Sequence, residues 1–213
     1  MDKVSQYLLE HIPERSGFFT SMEQYAKVNR VPIMEPVSMN FLTQLVTIKK
    51  PKTILELGTA IGYSALRMHE AYPLTTITTI ERNEKMFQIA NENIRKANKS
   101  HHIRVILGDA LNVIEKFIQH NETFDFIFID AAKGQYRRFF TDVQPLLNDE
   151  GMIVCDNVLF KGYVVDEEKS DHVRLQKLAK KIRDFNDWLV TQSNFHTSII
   201  PIGDGLSVSV KRK

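Results

Sequence analysis

Residues 53–64 read TILELGTAIGYS, an apolar run that leads into a turn containing two glycines. A short apolar run bounded by turn residues is typical of a buried parallel strand, and the residues after the turn favour a helix. The turn would then lie at the carboxyl end of the strand, the edge at which open α/β sheets bind ligands. The stretch therefore predicts an α/β fold with a binding site near Gly58.

Further apolar runs continue this pattern along the chain. They cover residues 75–81, 103–109, 124–130 and 151–156, and helical spacing separates them, most clearly over residues 84–99. Alternation of this kind predicts a doubly wound sheet with mostly parallel strands. Beyond a charged helix around residues 171–191, two last runs at 196–202 and 205–211 flank Gly203-Asp204-Gly205. They predict a closing C-terminal antiparallel hairpin, and hence seven strands in all.

The first fifty residues have a different character. They look helical, with breaks at Pro13, Pro32 and Pro36, and they precede the first predicted core strand. We interpret residues 1–50 as a helical cap over the active end of the sheet, and residues 51–213 as the core. Because 213 residues with 43% hydrophobic content can bury one substantial core, we expect a single domain, residues 1–213.

Composition excludes several classes of protein. Lys and Arg number 28 against 26 Asp and Glu, so the net charge of +2 does not by itself indicate a polyanionic partner. Cys155 is the single cysteine, which rules out an intrachain disulfide and favours a cytoplasmic location. We find no run long enough for a signal peptide or a membrane span, and expect no membrane association. The seven histidines are scattered, and we interpret them as surface residues.

Polar residues at three successive strand ends predict a nucleoside site. The glycines after the first strand are spaced GxxxG behind Glu56, a pattern that fits neither a dinucleotide loop nor a P-loop. Glu81 ends the second strand, where an acid can accept both hydroxyls of a ribose. Asp109 and Ala110 lie at the end of the third strand, where Asp109 can meet an exocyclic amine and Ala110 offers a backbone donor. Each residue alone is more often a turn or a helix cap. Their order along the sheet favours a nucleoside without phosphates.

A second group of polar residues predicts a metal site. Asp130 ends the fourth strand, and Asp156 and Asn157 end the fifth. Adjacent parallel strands would bring these oxygens together, and such ligands suit Mg²⁺. Lys133 lies close enough in sequence to act there as a base. Taken singly, Lys133 reads as a solvated loop lysine and Asp156-Asn157 as a turn pair.

These motifs together resemble the catechol and caffeoyl-CoA family of cation-dependent O-methyltransferases. The resemblance runs from Pro36 to the C-terminus and is carried by ELGTAIGYS, Glu81, GDA, FIDAAKGQY and DNVLFKG. It implies a Rossmann-like class I methyltransferase fold, with S-adenosylmethionine and Mg²⁺ as cofactors.

The resemblance also implies roles for individual residues. The expected cofactor-binding residues are Met34, Glu56, Gly58 and Ser64 at the methionine end, Glu81 at the ribose, Asp109 and Ala110 at the adenine, and Asp130 near the amino group. The expected magnesium ligands are Asp130, Asp156 and Asn157. Lys133 and Asp130 would be the catalytic residues.

Within this family, the length of the chain and the stretch DNVLFKGYVVDEE look most like the bacterial tRNA 5-hydroxyuridine methyltransferases. In 5-hydroxyuridine the 5-hydroxyl lies beside the O4 carbonyl, so it can chelate Mg²⁺ as a catechol does. Phosphates of tRNA would need basic residues, and a base would need aromatic stacking. The basic candidates are Arg30, Arg137, Arg138, Lys161, Arg174, Lys177, Lys180, Lys181, Lys211, Arg212 and Lys213; the aromatic ones are Tyr136, Phe160 and Tyr163.

Two alternatives remain open at this stage. One is a small-molecule methyltransferase of catechol or caffeoyl-CoA type, which acts on vicinal oxygens and needs no basic surface. The other is a nucleoside-binding protein without catalytic activity. We also expect a homodimer, which the apolar segment at residues 12–22 could support.

Overall fold

A computed structural model describes residues 3–166 and 172–212 of the chain. The chain divides into two compact units, Met1–Ala110 and Leu111–Lys213, called unit 1 and unit 2 here. Three parts of the sequence-based predictions fall outside the described residues: Glu167 and Glu168 of the stretch DNVLFKGYVVDEE, Asp171 at the start of the predicted charged helix, and Lys213.

Unit 1 begins with helices and continues as alternating strands and helices. Its elements are α1 (Lys3–Glu10), α2 (Gly17–Asn29), α3 (Pro36–Lys49), β1 (Thr53–Leu57), α4 (Tyr63–Ala71), β2 (Thr76–Glu81), α5 (Glu84–Lys96) and β3 (Ile103–Leu107). Strand β2 pairs in parallel with both β1 and β3. The predicted helical character of residues 1–50 is confirmed for the described residues, whereas their place over the active end of the sheet stays a prediction.

Helix α5 shows how local sequence places an element in unit 1. Asn83 caps it by accepting a hydrogen bond from the backbone N–H of Met86 at 3.1 Å. Ala90 and Ile94 form its buried face. The helix ends at Lys96, three residues before the predicted end, because Asn98 takes a left-handed conformation with φ 55°.

Unit 2 carries the rest of the strands and the C-terminal hairpin. From α6 (Ala110–Gln119), which starts at the boundary, the chain runs through β4 (Phe124–Ile129), α7 (Tyr136–Val143), β5 (Leu147–Cys155), α8 (Val173–Val190), β6 (Phe195–Ile200) and β7 (Leu206–Lys211). Strand β4 is parallel to β5, β5 is antiparallel to β7, and β7 is antiparallel to β6. Phe140 and Phe185 form the centre of an aromatic cluster that also contains Trp188.

The strand order is β3-β2-β1-β4-β5-β7-β6. This seven-stranded mixed sheet, mostly parallel with an antiparallel C-terminal hairpin, confirms the predicted fold class. Whether residues 1–213 form a single domain stays a prediction. Among the described helices, none combines the length and the apolar character needed to cross a bilayer.

Strand β5 begins four residues earlier than the sequence predicts, at Leu147 rather than Gly151. Residues 148–150 are polar, but Leu147 already pairs with Phe124 of β4. The register then shifts before Phe126 meets Met152, and Glu150 has a φ of 58° within this irregular section. The pairing of Leu147 with Phe124 therefore extends β5 across residues 148–150, although their polar composition disfavours a strand.

The prediction that all seven histidines lie at the surface is wrong for His69. This residue of α4 is 1% exposed, and both of its ring nitrogens are buried without a hydrogen-bond partner among the described residues. Its ring centroid lies 4.9 Å from that of His102, which is exposed. Burial, together with the nearby Lys99 and His102, lowers the pKa of His69 from 6.5 to about 4.

We predict that His69 makes the stability of the protein depend on pH. Above pH 6.5 the side chain is neutral in both the folded and unfolded states, and it contributes no pH dependence. As the pH falls from 6.5 towards 4, the unfolded chain binds a proton that the folded state excludes, so stability is lost. The full loss is about 3 kcal/mol. Urea denaturation between pH 4 and pH 7 should show a flatter profile for His69→Phe, while the exposed control His101→Phe should follow the wild type. Equal slopes for His69→Phe and wild type would contradict this assignment.

Candidate active site

The turn after β1 is fixed by backbone hydrogen bonds to its surroundings. The N–H of Gly58 donates to the carbonyl of Ile80 on β2 at 3.0 Å, and that of Gly62 donates to Thr59 at 2.8 Å. Gly62 has a φ of 82°, and a Cβ there would lie 3.5 Å from Ala90 of α5. That distance is ordinary van der Waals contact, so the positive φ is what favours glycine at this position. These contacts therefore fix the turn at the carboxyl ends of β1 and β2.

Glu56 stabilises this turn through hydrogen bonds. The side chain is fully buried, and its carboxylate accepts hydrogen bonds from the hydroxyls of Ser64 and, at 2.5 Å, Thr79. The hydroxyl of Thr79 also contacts that of Thr59 at 2.6 Å. Glu56 therefore orients Ser64, the second residue of α4, and through Ser64 the turn after β1.

Glu81 joins the ends of two elements in the same region. Its carboxylate accepts hydrogen bonds from the backbone N–H groups of Ala60 and Asn83, both at 2.8 Å, and the residue is 8% exposed. Each carboxylate oxygen has a second lone pair, so the group can still accept from the hydroxyls of a ligand. Asp109 is exposed after β3, and Ala110 opens α6. Met34 is buried in the segment between α2 and α3.

The structure also reveals a contact that the sequence did not indicate. Tyr63, the first residue of α4, donates its hydroxyl to Glu23 of α2 at 2.6 Å. Glu23 in turn accepts two hydrogen bonds from the guanidinium of Arg15, at 2.6 and 3.1 Å. Burial, followed by the bond to Glu23, raises the pKa of Tyr63. Forty residues separate Tyr63 from Glu23, so no local pattern could have shown this pairing.

The predicted metal ligands of unit 2 come together at the carboxyl ends of β4 and β5. Ile129 is paired with Cys155, and the N–H of Asp156 donates to the carbonyl of Ile129 at 3.1 Å. This parallel pairing places Asp130 and Asp156 side by side. The N–H of Asn157 donates to the Asp156 carboxylate at 2.7 Å.

Lys133 and Tyr136 complete this cluster. The ammonium of Lys133 donates to the amide oxygen of Asn157, which confirms that the lysine reaches the predicted ligands. The hydroxyl of Tyr136 donates to the backbone carbonyl of Asp156 at 2.7 Å. Tyr136 is 1% exposed, so it holds Asp156 in place from within the core.

The electrostatics of this cluster suit a cation. Burial raises the pKa of Asp130, which the charge of Lys133 opposes. Burial also raises the pKa of Asp156, and the charges of Asp130 and Asp204 add to this, while Asn157 and Lys133 act in the other direction. One lysine therefore leaves two carboxylates incompletely compensated. A hard divalent cation held by Asp130, Asp156 and Asn157 would supply the missing positive charge.

The donor set also bears on the type of metal. Within residues 3–166 and 172–212, no three His, Cys, Asp or Glu side chains are grouped so that they could hold a metal ion. The candidate donors are therefore the two carboxylates of Asp130 and Asp156 and the amide oxygen of Asn157. This composition fits Mg²⁺ better than zinc, which prefers Cys and His ligands.

The aromatic candidates for base stacking are only partly available. Tyr136 and Phe160 are buried, at 1% and 8% exposure, so in this conformation neither presents a ring face to a nucleic acid base. Tyr163 is partly exposed, and its ring centroid lies 5.3 Å from that of Phe160. The prediction that Tyr136 and Phe160 stack on a base therefore needs correction, because their side chains fill the core.

Several of the basic candidates are engaged within the protein. Arg137 lies over the ring of Trp188 at 4.9 Å, Arg138 is 3.5 Å from Asp142, and Lys211 is 3.0 Å from Asp149. Arg212 donates to the carbonyl of Phe195 at 3.1 Å. Exposed basic residues remain on α8, namely Arg174, Lys177, Lys180 and Lys181, and elsewhere at Arg30 and Lys161.

Comparison with known proteins gives a consistent result. A family model described as O-methyltransferase matches residues 15–212. Caffeoyl-CoA O-methyltransferase 1 of Nicotiana tabacum is 28% identical over 96% of this chain and 91% of its own length. A solved structure from Staphylococcus aureus, provisionally described as a caffeoyl-CoA O-methyltransferase, is 36% identical with a TM-score of 0.91 and covers 99% of this chain and 100% of that one. The O-methyltransferase of Bacillus cereus in complex with SAH is 28% identical with a TM-score of 0.83 over 98% of this chain and 97% of that one.

The Glu56 network leads to a prediction about stability. Ser64→Ala and Thr79→Val each remove one hydroxyl donor from a buried carboxylate, so each should lower the free energy of unfolding by about 1.5–3 kcal/mol. The matched control is Thr78→Val, the neighbouring residue on the other face of β2, which should change it little. Urea denaturation at pH 7 measures all three. Equal midpoints for the three variants and wild type would show that Glu56 does not depend on these hydroxyls.

Proposed function

The chain belongs to the O-methyltransferase family, and from this premise we propose that it methylates a hydroxyl beside a second oxygen, with Mg²⁺ held by Asp130, Asp156 and Asn157. The chain is an S-adenosylmethionine-dependent O-methyltransferase of the caffeoyl-CoA-type family and has a Rossmann-like fold. The observation that carries the proposal is the pair of incompletely compensated carboxylates beside Lys133 and Asn157. A protein that only binds nucleosides would have no use for this cluster.

S-adenosylmethionine would supply an electrophilic methyl group, and Mg²⁺ would stabilise the ionised form of the hydroxyl that accepts it. In unit 1, we assign Glu81 to the ribose and Asp109 with Ala110 to the adenine. Gly58, Ser64 and Met34 would bind the methionine portion. Glu56, whose carboxylate is enclosed, would contribute by orienting Ser64.

In unit 2, we assign the acid–base role to Lys133. In its neutral form Nζ would take the proton of the substrate hydroxyl, and the amide oxygen of Asn157 orients Nζ. Asp130 would act both as a ligand and as a contact to the amino group of the cofactor. Tyr136 would keep the backbone at Asp156 fixed through its hydrogen bond, so that these groups need little reorganisation during the reaction.

Two substrates fit this chemistry. The first is 5-hydroxyuridine in the anticodon loop of tRNA, which would become 5-methoxyuridine. The exposed basic residues of α8 support this candidate, because Lys180 and Lys181 could contact phosphates. The second is a small catechol or a caffeoyl-CoA-like molecule, which the relatives and the burial of Tyr136 and Phe160 support.

We further propose a cytoplasmic homodimer. Phe19 and Met22 of the segment at residues 12–22 are buried within unit 1, so they are poor candidates for contacts with a second copy. Exposed apolar side chains lie instead on α1, where Val4, Tyr7 and Leu8 share one helical face. The cytoplasmic location rests on the single cysteine, Cys155, which is buried and free.

Replacing either carboxylate ligand should remove the metal-dependent reaction. We expect Asp130→Asn and Asp156→Asn to reduce kcat at least about 100-fold, because the cation contributes several kcal/mol to the reaction. EDTA should have the same effect on the wild type, and added Mg²⁺ should restore it. Asp149→Asn serves as the control, since Asp149 is exposed on β5. Wild-type turnover of either ligand variant in metal-free buffer would contradict the magnesium assignment.

The substrate can be identified from the salt dependence of the reaction. If tRNA is bound through its phosphates, methyl transfer to tRNA should fall steeply with salt, with log K decreasing by roughly 0.7–0.9 per phosphate for each tenfold rise. Transfer to a small catechol should hardly change. The Lys180→Glu/Lys181→Glu variant should raise KM for tRNA and spare the catechol reaction. Salt-insensitive transfer to catechols, with no transfer to tRNA carrying 5-hydroxyuridine, would establish the small-molecule reading.

A further inference from the structure

The loop at residues 157–165 follows β5 and contains several backbone conformations that are unfavourable for residues other than glycine. Asn157, Phe160 and Lys161 have φ values of 57°, 47° and 55°, in the left-handed region that residues other than glycine rarely adopt. Three such residues within five positions need outside contacts to keep them in place. The loop begins at a proposed metal ligand, so its conformation bears directly on the site.

The turn between β6 and β7 supplies these contacts. The N–H of Val158 donates to the carbonyl of Gly205 at 3.0 Å, and the N–H of Leu159 donates to the carbonyl of Asp204 at 2.9 Å. The carboxylate of Asp204 accepts a further hydrogen bond from the N–H of Lys161. Asp204 and Gly205 thus accept hydrogen bonds from three backbone N–H groups of the loop. The sequence predicted only a hairpin turn at these residues.

Gly205 allows this close approach. Its φ is 86°, and a Cβ built there would lie 2.7 Å from the Cβ and 2.8 Å from the backbone nitrogen of Leu159. Neither a backbone nitrogen nor a Cβ can move away without shifting the loop. On its other side the loop packs through Phe160 and Val164 against Ile182 of α8. The loop is therefore enclosed between the hairpin turn and α8.

We propose that Asp204 and Gly205 are positioning residues for the metal site, because the hairpin turn holds the left-handed loop in the conformation that presents Asn157. Asp204 acts through its hydrogen bond to Lys161 and not as a metal ligand. In the part of the chain that the structure describes, Asp204 does not join Asp130 and Asp156 in a group able to hold a metal. This inference depends on the proposed function only for the identity of the metal.

The role of the hydrogen bond can be separated from that of the charge. Asp204→Asn keeps an acceptor oxygen and loses the charge, whereas Asp204→Ala loses both. A positioning role predicts that Asp204→Ala weakens Mn²⁺ binding about 10–100-fold, as expected when a residue behind a ligand is removed, and that Asp204→Asn binds Mn²⁺ as the wild type does. Titration of the full-length chain with Mn²⁺, followed by electron paramagnetic resonance, measures this. Asp149→Ala is the matched control on an exposed acid.

Amide hydrogen exchange provides a readout that needs no metal. In the metal-free chain, exchange in the segment containing Leu159 and Lys161 should be faster in Asp204→Ala and in Gly205→Ala than in wild type or Asp204→Asn. Gly17→Ala is the glycine control, since a Cβ there meets nothing within 4 Å. If the wild type binds no Mn²⁺, the magnesium assignment fails, while exchange still tests the contact between hairpin and loop.

Two results would overturn the proposal. One is unchanged exchange and, in a wild type that binds Mn²⁺, unchanged affinity in Asp204→Ala. The other is an Asp204→Asn variant as impaired as Asp204→Ala, which would indicate a role for the charge. Should Asp204→Ala fail to fold by circular dichroism, Gly205→Ala replaces it, and wild-type exchange in that variant would likewise overturn the proposal.

Discussion

The proximity of two carboxylates, the buried Asp156 and the partly buried Asp130, is the constraint on which the organisation of unit 2 depends. The parallel pairing of Ile129 with Cys155 carries both to the same edge, where burial and mutual repulsion disfavour their charged forms. The surrounding groups counter this cost: Lys133 brings a positive charge, and Asn157 donates its N–H to Asp156. This arrangement supports the proposed binding of a divalent cation.

Unit 1 meets a related constraint by different means. Glu56 is fully buried, but the hydroxyls of Ser64 and Thr79 satisfy its carboxylate, and Glu81 receives two backbone N–H groups. In unit 1, neutral hydrogen-bond donors therefore take the part that we propose for a cation in unit 2. Both acids fix the turn after β1, and of the two only Glu81 retains some exposure to solvent. This difference supports the proposed binding role of Glu81 and gives Glu56 the role of orienting the turn.

Membership of the O-methyltransferase family defines the reaction more closely than the substrate. A cation held at the proposed metal site would bind any pair of adjacent oxygens, so selectivity between substrates must come from the residues around that site. Two of the aromatic side chains that could have stacked on a base, Tyr136 and Phe160, are instead part of the core. The basic residues that remain exposed lie mainly along α8, which makes that helix the surface to test for contact with phosphates.

The sequence by itself determined the alternation of strands and helices, the turn at Gly58 and Gly62, and the strand-end acids Glu81, Asp130 and Asp156. These features are local, because apolar periodicity and the residue after each strand are written in consecutive positions. Hydrogen bonds over long sequence separations were decided only by the tertiary structure. Such contacts join Tyr63 to Glu23, Lys161 to Asp204 and Tyr136 to Asp156, and the burial of His69 likewise follows from packing. The physical reason is that burial and hydrogen-bond partners depend on which elements pack together, and no pattern of neighbouring residues records this.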